Sequence, residues 1–169
     1  MTELAAGTQP TRTAGSSPDD GTSPTPGFAA TPAKATLNDL KSLARRNNRG
    51  QREEIMTAQT FLKNWYGISY QPKISTENQQ RIQILEQAAP GDDFNVKFME
   101  VFSRHHYSAT TRSVECLVSS ELTHIDLDRY CHNIVNGQLS DIDQMRHLLC
   151  DDYNICDYQP LGGLAGRHS

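Results

Sequence analysis

Two adjacent imidazoles, His105 and His106, interrupt an apolar helical stripe in the stretch FMEVFSRHHYSA. His105 follows Phe98 and Val101, and His106 follows Met99 and Phe102, at the three-, four- and seven-residue intervals of one helix face. At least one ring therefore points into the packed interior. Two other stripes are broken in a matching way, by Gln51 and Glu54 in one segment and by Gln138 and Asp141 in another. Burying a carboxylate costs several kcal/mol unless a cation or strong donors compensate it. Two chemistries answer that need. One is a metal site built from His105, His106, Glu54 and Asp141, with Gln51 and Gln138 supporting it and Met99 or Met145 as soft ligands. The other is a hydrogen-bond network in which the carboxylates orient the imidazoles and no ion binds.

Catalytic arrangements are poorly represented. A di-iron or di-manganese bundle needs two E-x-x-H motifs on facing helices, whereas the chain offers one, Glu121 to His124, at a turn. Neither a G-x-S-x-G elbow nor a phosphate-binding glycine loop occurs. His132 and His147 lie off the apolar stripe and read as solvated. The expectation is a noncatalytic protein.

The elements that position these residues are helices. A shift of 87 residues aligns Thr36 with Thr123, Asp39 with Asp126, Leu40 with Leu127, Gly50 with Gly137 and Gln51 with Gln138. It also aligns Ile55 with Ile142, Leu62 with Leu149, Tyr66 with Tyr153 and Ile68 with Ile155, where about two chance identities are expected. After one inserted residue, Tyr70-Gln71-Pro72 answers to Tyr158-Gln159-Pro160.

Each copy opens on a threonine three residues before an aspartate, a capping-box-like start. Each continues with apolar residues at helical spacing: Leu40, Ala44, Ile55, Ala58, Leu62 and Trp65, then Leu127, Cys131, Ile134, Ile142, Met145 and Leu149. Two helices follow, over 36–65 and 123–152. The repeat reads as a duplicated helix-plus-exit unit, against the simpler alternative of two unrelated amphipathic helices with common capping chemistry. Between them the pattern predicts a short helix over 76–88 and a long one over 93–119, with Asp92 as N-cap and Phe94, Phe98, Val101, Phe102, Ala109, Cys116 and Leu117 as its stripe. No stretch reads as a strand. The expected fold is all-α, an antiparallel bundle of three long helices and one short one over 36–160.

The flanks read differently. Residues 1–35 are rich in Thr, Pro, Gly, Ser and Ala with one aromatic, Phe28, and predict a disordered tail. Residues 161–169 read as a short C-terminal tail. The 169 residues have mean hydropathy −0.62 and net charge −4, and basic residues cluster only at Arg45, Arg46, Arg49 and Arg52. That is too small a basic footprint for nucleic acid. No apolar run is long enough to span a membrane, and no basic-then-apolar export signal is written at the start. Cys116, Cys131, Cys150 and Cys156 permit three fully paired connectivities, and the choice between disulfides and buried thiols stays open. The sequence leaves oligomeric state undetermined.

Taken together, FMEVFSRHH, the Q-x-x-D-I-x-x-M run from Gln138 to Met145 and the Trp65-Tyr66-Gly67 triplet resemble the domain of unknown function family 305 over about residues 93–150. The resemblance implies a ferritin-like helical fold and, as in some members, copper binding and export. On this reading 92–160 is the family unit and 36–72 a partial repeat. It implies metal-ligand roles for His105, His106, Met99 and Met145. This chain departs from the family pattern by having Phe102 and Arg112 where methionines are frequent, and Asp141 where glutamate is usual. The cysteines could replace the missing sulfur, or Cys150 and Cys156 could staple the exit coil to its helix.

Overall fold

The computed structural model describes residues 1–8, 30–119 and 122–160, and these are helical with no strand among them. Five helices follow in order: α1 Thr2–Ala6, α2 Asn38–Tyr66, α3 Thr76–Gln87, α4 Asp92–Leu117 and α5 Ile125–Tyr153. The chain divides into two compact units, Met1–Phe98 and Met99–Ser169, with the division inside α4.

In the first unit Leu40, Leu43, Ala44, Leu85, Phe94 and Phe98 form the buried apolar core. The N-terminal half of α2 carries that burial, whereas Ile55 is 44% exposed, contrary to its place in the expected inward stripe. The threonine-capped start of α2 is also overturned: the helix begins at Asn38, after Leu37, with no side-chain cap bond. The physical reason is a competing partner. Asn95 Nδ2 donates to Thr36 Oγ1 at 2.8 Å and Asn95 Oδ1 accepts from Thr36 N at 3.1 Å, so the hydroxyl serves a long-range pair instead of the local helix end. Lys34 Nζ donates to the carbonyls of Leu85, Glu86 and Ala88 and so satisfies the C-terminal end of α3, where unpaired oxygens and the helix dipole favour a cation. The short helix keeps its serine cap, with Asn78 N donating to Ser75 Oγ.

The segment read as a tail over 1–35 lies outside the described residues at 9–29, but its two ends are structured. Residues 2–6 form α1, packed on α2, with Ala5 fully buried. Lys34 N donates to Leu4 O at 2.8 Å and Thr8 N to Thr31 O at 2.7 Å, so the ends pair with each other through the backbone. Small side chains permit the approach. Gly7, at φ +71°, leaves only 2.8 Å between a built Cβ position and Ala33 N, which a side chain would not tolerate. The expected C-terminal tail, 161–169, falls outside the described residues.

The second unit is a helical hairpin. Ser103 meets Met145, His106 meets Asp141 and Cys116 is bonded to Cys131, so partners descend α5 as they ascend α4, the antiparallel sense. Met99, Ser103, His106, Thr110 and Ser113 recur at alternating four- and three-residue steps, the seam period of two packed helices, and all five are buried. Cys131, Gln138, Ile142, Met145 and Leu149 are their buried counterparts on α5. The start of α5 repeats the correction made for α2: it follows His124 with no side-chain cap bond.

The two 29-residue helices end alike. Gly67 is left-handed, with Gly67 N donating to Lys63 O and Ile68 N to Leu62 O. Asn154 is left-handed too, with Asn154 N donating to Cys150 O and Ile155 N to Leu149 O. Both are left-handed (αL) terminations, in which the N–H of the positive-φ residue bonds the carbonyl four residues back, and they need a residue tolerant of positive φ. Beyond the second, Cys156 is bonded to Cys150, tying the exit coil to the last turn of α5.

Candidate metal-binding site

The site is centred on His106, whose side chain is wholly buried while that of Asp141 is 14% exposed. His106 Nδ1 lies 2.9 Å from Phe102 O, the carbonyl one turn back on α4. A carbonyl can only accept, so Nδ1 carries the proton of that bond. Nε2 lies 3.3 Å from Asp141 Oδ2. Nε2 then has two available states: protonated, donating to an ionised Asp141, or bare, with its lone pair directed at the same region. The separation exceeds the 2.7–2.9 Å usual for a charge-assisted bond and lies within the span of two donors each about 2.1 Å from one ion.

One turn toward the start of α4, Ser103 Oγ donates to Met145 Sδ at 3.6 Å, placing that thioether one turn of α5 beyond Asp141. Met99 and Met145 are both fully buried. Gln138, one turn before Asp141 on α5, is 5% exposed, and its Oε1 has no hydrogen-bond partner. A buried carbonyl oxygen without a hydrogen bond is costly in an interior.

His105 occupies the neighbouring face of α4. Its ring stacks on Phe102 with centroids 5.6 Å apart and meets His106 edge-on at 5.9 Å. Glu54 and Gln51 are half-buried on α2, in the first unit. Among the described residues no group of three or more His, Cys, Asp or Glu side chains gathers in a cluster able to hold an ion. The residues brought together are therefore His106 with Asp141, and Met145 with Ser103. Glu121 of the single E-x-x-H lies outside the described residues. His132 and His147 are exposed, each with Nδ1 near its own helix, at Asp128 O and Asp143 O.

Sequence reasoning passed over the hydroxyls of the seam, Ser103, Thr110 and Ser113, because apolar periodicity counts them as breaks. Their heptad spacing with His106 was the available signal. It also passed over Tyr158, whose hydroxyl donates to Glu100 O at 2.6 Å and anchors the exit coil on α4. Burial pushes that phenol above its ordinary pKa, with the Arg104 hydrogen bond and charge opposing.

A buried histidine paired with a carboxylate on a two-helix seam, closed by a disulfide, defines a small all-α protein with a polar interhelical site. The chain belongs to the family Domain of unknown function (DUF305), which it matches over residues 29–149. That span takes in α2, α3, α4 and α5 as far as Leu149, and so begins well before the 93–150 stretch that carries the sequence resemblance. No curated protein and no solved structure matches the chain.

Proposed function

We propose that this protein is a noncatalytic transition-metal-binding or metal-sequestering helical protein, with copper among the candidate ions and the hairpin of α4 and α5 as its binding element. One observation carries the reading: His106 is fully buried and fixed through Nδ1 to Phe102 O, while Nε2 is turned to Asp141 Oδ2. Proteins orient ligating imidazoles in this manner, with the second nitrogen donating to a carbonyl so that the first keeps its lone pair. Met145 and Met99 add soft donors along the same seam, and His105 a further nitrogen on the adjoining face.

The matched lengths and terminations of α2 and α5 support reading them as copies of one helix-plus-exit unit on a ferritin-like architecture, in which Gln51 and Glu54 are the counterparts of Gln138 and Asp141. The two disulfides favour an oxidising compartment. Titration calorimetry of chelator-free protein with cupric and zinc salts tests the proposal. Near-stoichiometric binding, lost in His106→Ala, is expected; absence of metal-dependent heat for every ion tried sinks it.

A second reading is favoured by a specific observation: both nitrogens of His106 already have protein partners, and no cluster of three or more His, Cys, Asp or Glu residues stands among the described residues. Here the pair is a structural network that specifies the packing of α4 on α5. It predicts that His106→Ala lowers stability while metal salts leave the wild-type melting temperature unchanged.

A further inference from the structure

We infer that the amide oxygen of Gln138 is a third donor of the hairpin site, and that the site selects a borderline divalent ion, such as zinc or cupric ion, over a cuprous one. This inference rests on the metal-binding reading and specifies the ion class it serves.

The first support is the orphaned acceptor. Gln138 is buried among the seam residues of α5 and its Oε1 receives no hydrogen bond. The seam hydroxyls of known engagement are committed elsewhere: Thr110 Oγ1 donates to His106 O at 3.0 Å, and Ser103 Oγ to Met145 Sδ at 3.6 Å. A fold that needed Gln138 only for packing would carry an apolar residue there, because an unsatisfied carbonyl opposes folding while Leu of similar size does not.

The second support is placement. Gln138 and Asp141 stand one helical turn apart on α5, and Asp141 is opposite His106 in the antiparallel register. His106 Nε2, Asp141 Oδ2 and Gln138 Oε1 then constitute one imidazole nitrogen and two oxygens. Such donors suit borderline divalent ions, whereas cuprous ion favours thioether and thiolate sulfur. The sulfurs are less available: Met145 Sδ accepts from Ser103, all four cysteines are in disulfides, and Met99 stands two turns of α4 before His106.

Gln138→Leu, Gln138→Glu and Met145→Leu test this by calorimetry with zinc chloride and cupric chloride. Cuprous affinity is measured by competition with bicinchoninate, and apo stability by thermal melting. Gln138→Leu is expected to melt higher than wild type without metal, because the orphan is gone, and to bind both divalent ions about ten- to hundredfold more weakly. Gln138→Glu, which keeps an oxygen donor, is expected to retain divalent binding, and Met145→Leu to leave it unchanged. Unaltered zinc and cupric affinity in Gln138→Leu overturns the assignment of Gln138. Tight cuprous binding abolished by Met145→Leu, with weak divalent binding in wild type, overturns the ion class while the metal-binding reading stands. Failure of wild type to bind any of the three ions removes that reading and this inference together.

Discussion

A wholly buried imidazole with both nitrogens engaged is a point of high local consequence. His106→Ala removes two hydrogen bonds and opens a cavity at the seam, for an expected loss of about 2–4 kcal/mol in urea unfolding. Asp141→Ala leaves the ring in place but strips Nε2 of its partner, and about 1–2 kcal/mol is expected. The double variant should lose less than the two single losses combined, since each removes the same contact; strict additivity would show that the 3.3 Å approach carries no energy. Tyr158 gives a pH signature at the same scale. Its folded pKa is raised above the ordinary 10.0, so the folded state holds the proton more tightly than the unfolded chain. The associated stability is fully present below pH 10 and is lost as pH rises through the folded value. Denaturation followed from pH 9 to 11.5 should show this fall in wild type and a flatter profile in Tyr158→Phe; identical slopes would mean that the hydroxyl is not buried against α4.

Among the elements, the hairpin of α4 and α5 owes its seam to polar as much as apolar residues. Four successive buried seam positions on α4, Ser103, His106, Thr110 and Ser113, are polar, so its register depends less on hydrophobic burial than that of an ordinary helix pair. The disulfide Cys116–Cys131 compensates by closing the 15-residue connection, for which chain-entropy arguments give about 3 kcal/mol. Cys150–Cys156 spans only 6 residues and should contribute about 2 kcal/mol. Replacing each pair by serine and comparing urea midpoints checks the order; a larger loss at the exit staple than at the hairpin would contradict it. Helix extents were legible in sequence to within two residues because apolar period and proline stops are local signals. The capping of α2 was not: Thr36 looks like a cap in isolation, and only Asn95, distant in sequence, redirects its hydroxyl. The burial of Ile55 was misjudged for a related reason, since periodicity says which residues share a face and not whether another helix covers it.

At the scale of the molecule, the absence of free cysteine among the four is directly measurable. Intact mass of unreduced protein should fall about 4 Da below the fully reduced mass, with peptide mapping joining Cys116 to Cys131 and Cys150 to Cys156; a match to the reduced mass would remove both staples. Among the described residues no helix is long and apolar enough to cross a membrane.

By itself the sequence determined the all-α class, the four principal helices and the candidacy of His106 and Asp141, because helical periodicity and the cost of burying charge are written in residue order. Tertiary structure decided which histidine is enclosed, which cysteines join, and that Gln138 Oε1 receives no hydrogen bond. It also gave Thr2–Ala6 a helix packed on α2. Those outcomes depend on distances between residues far apart in the chain, which no local pattern encodes.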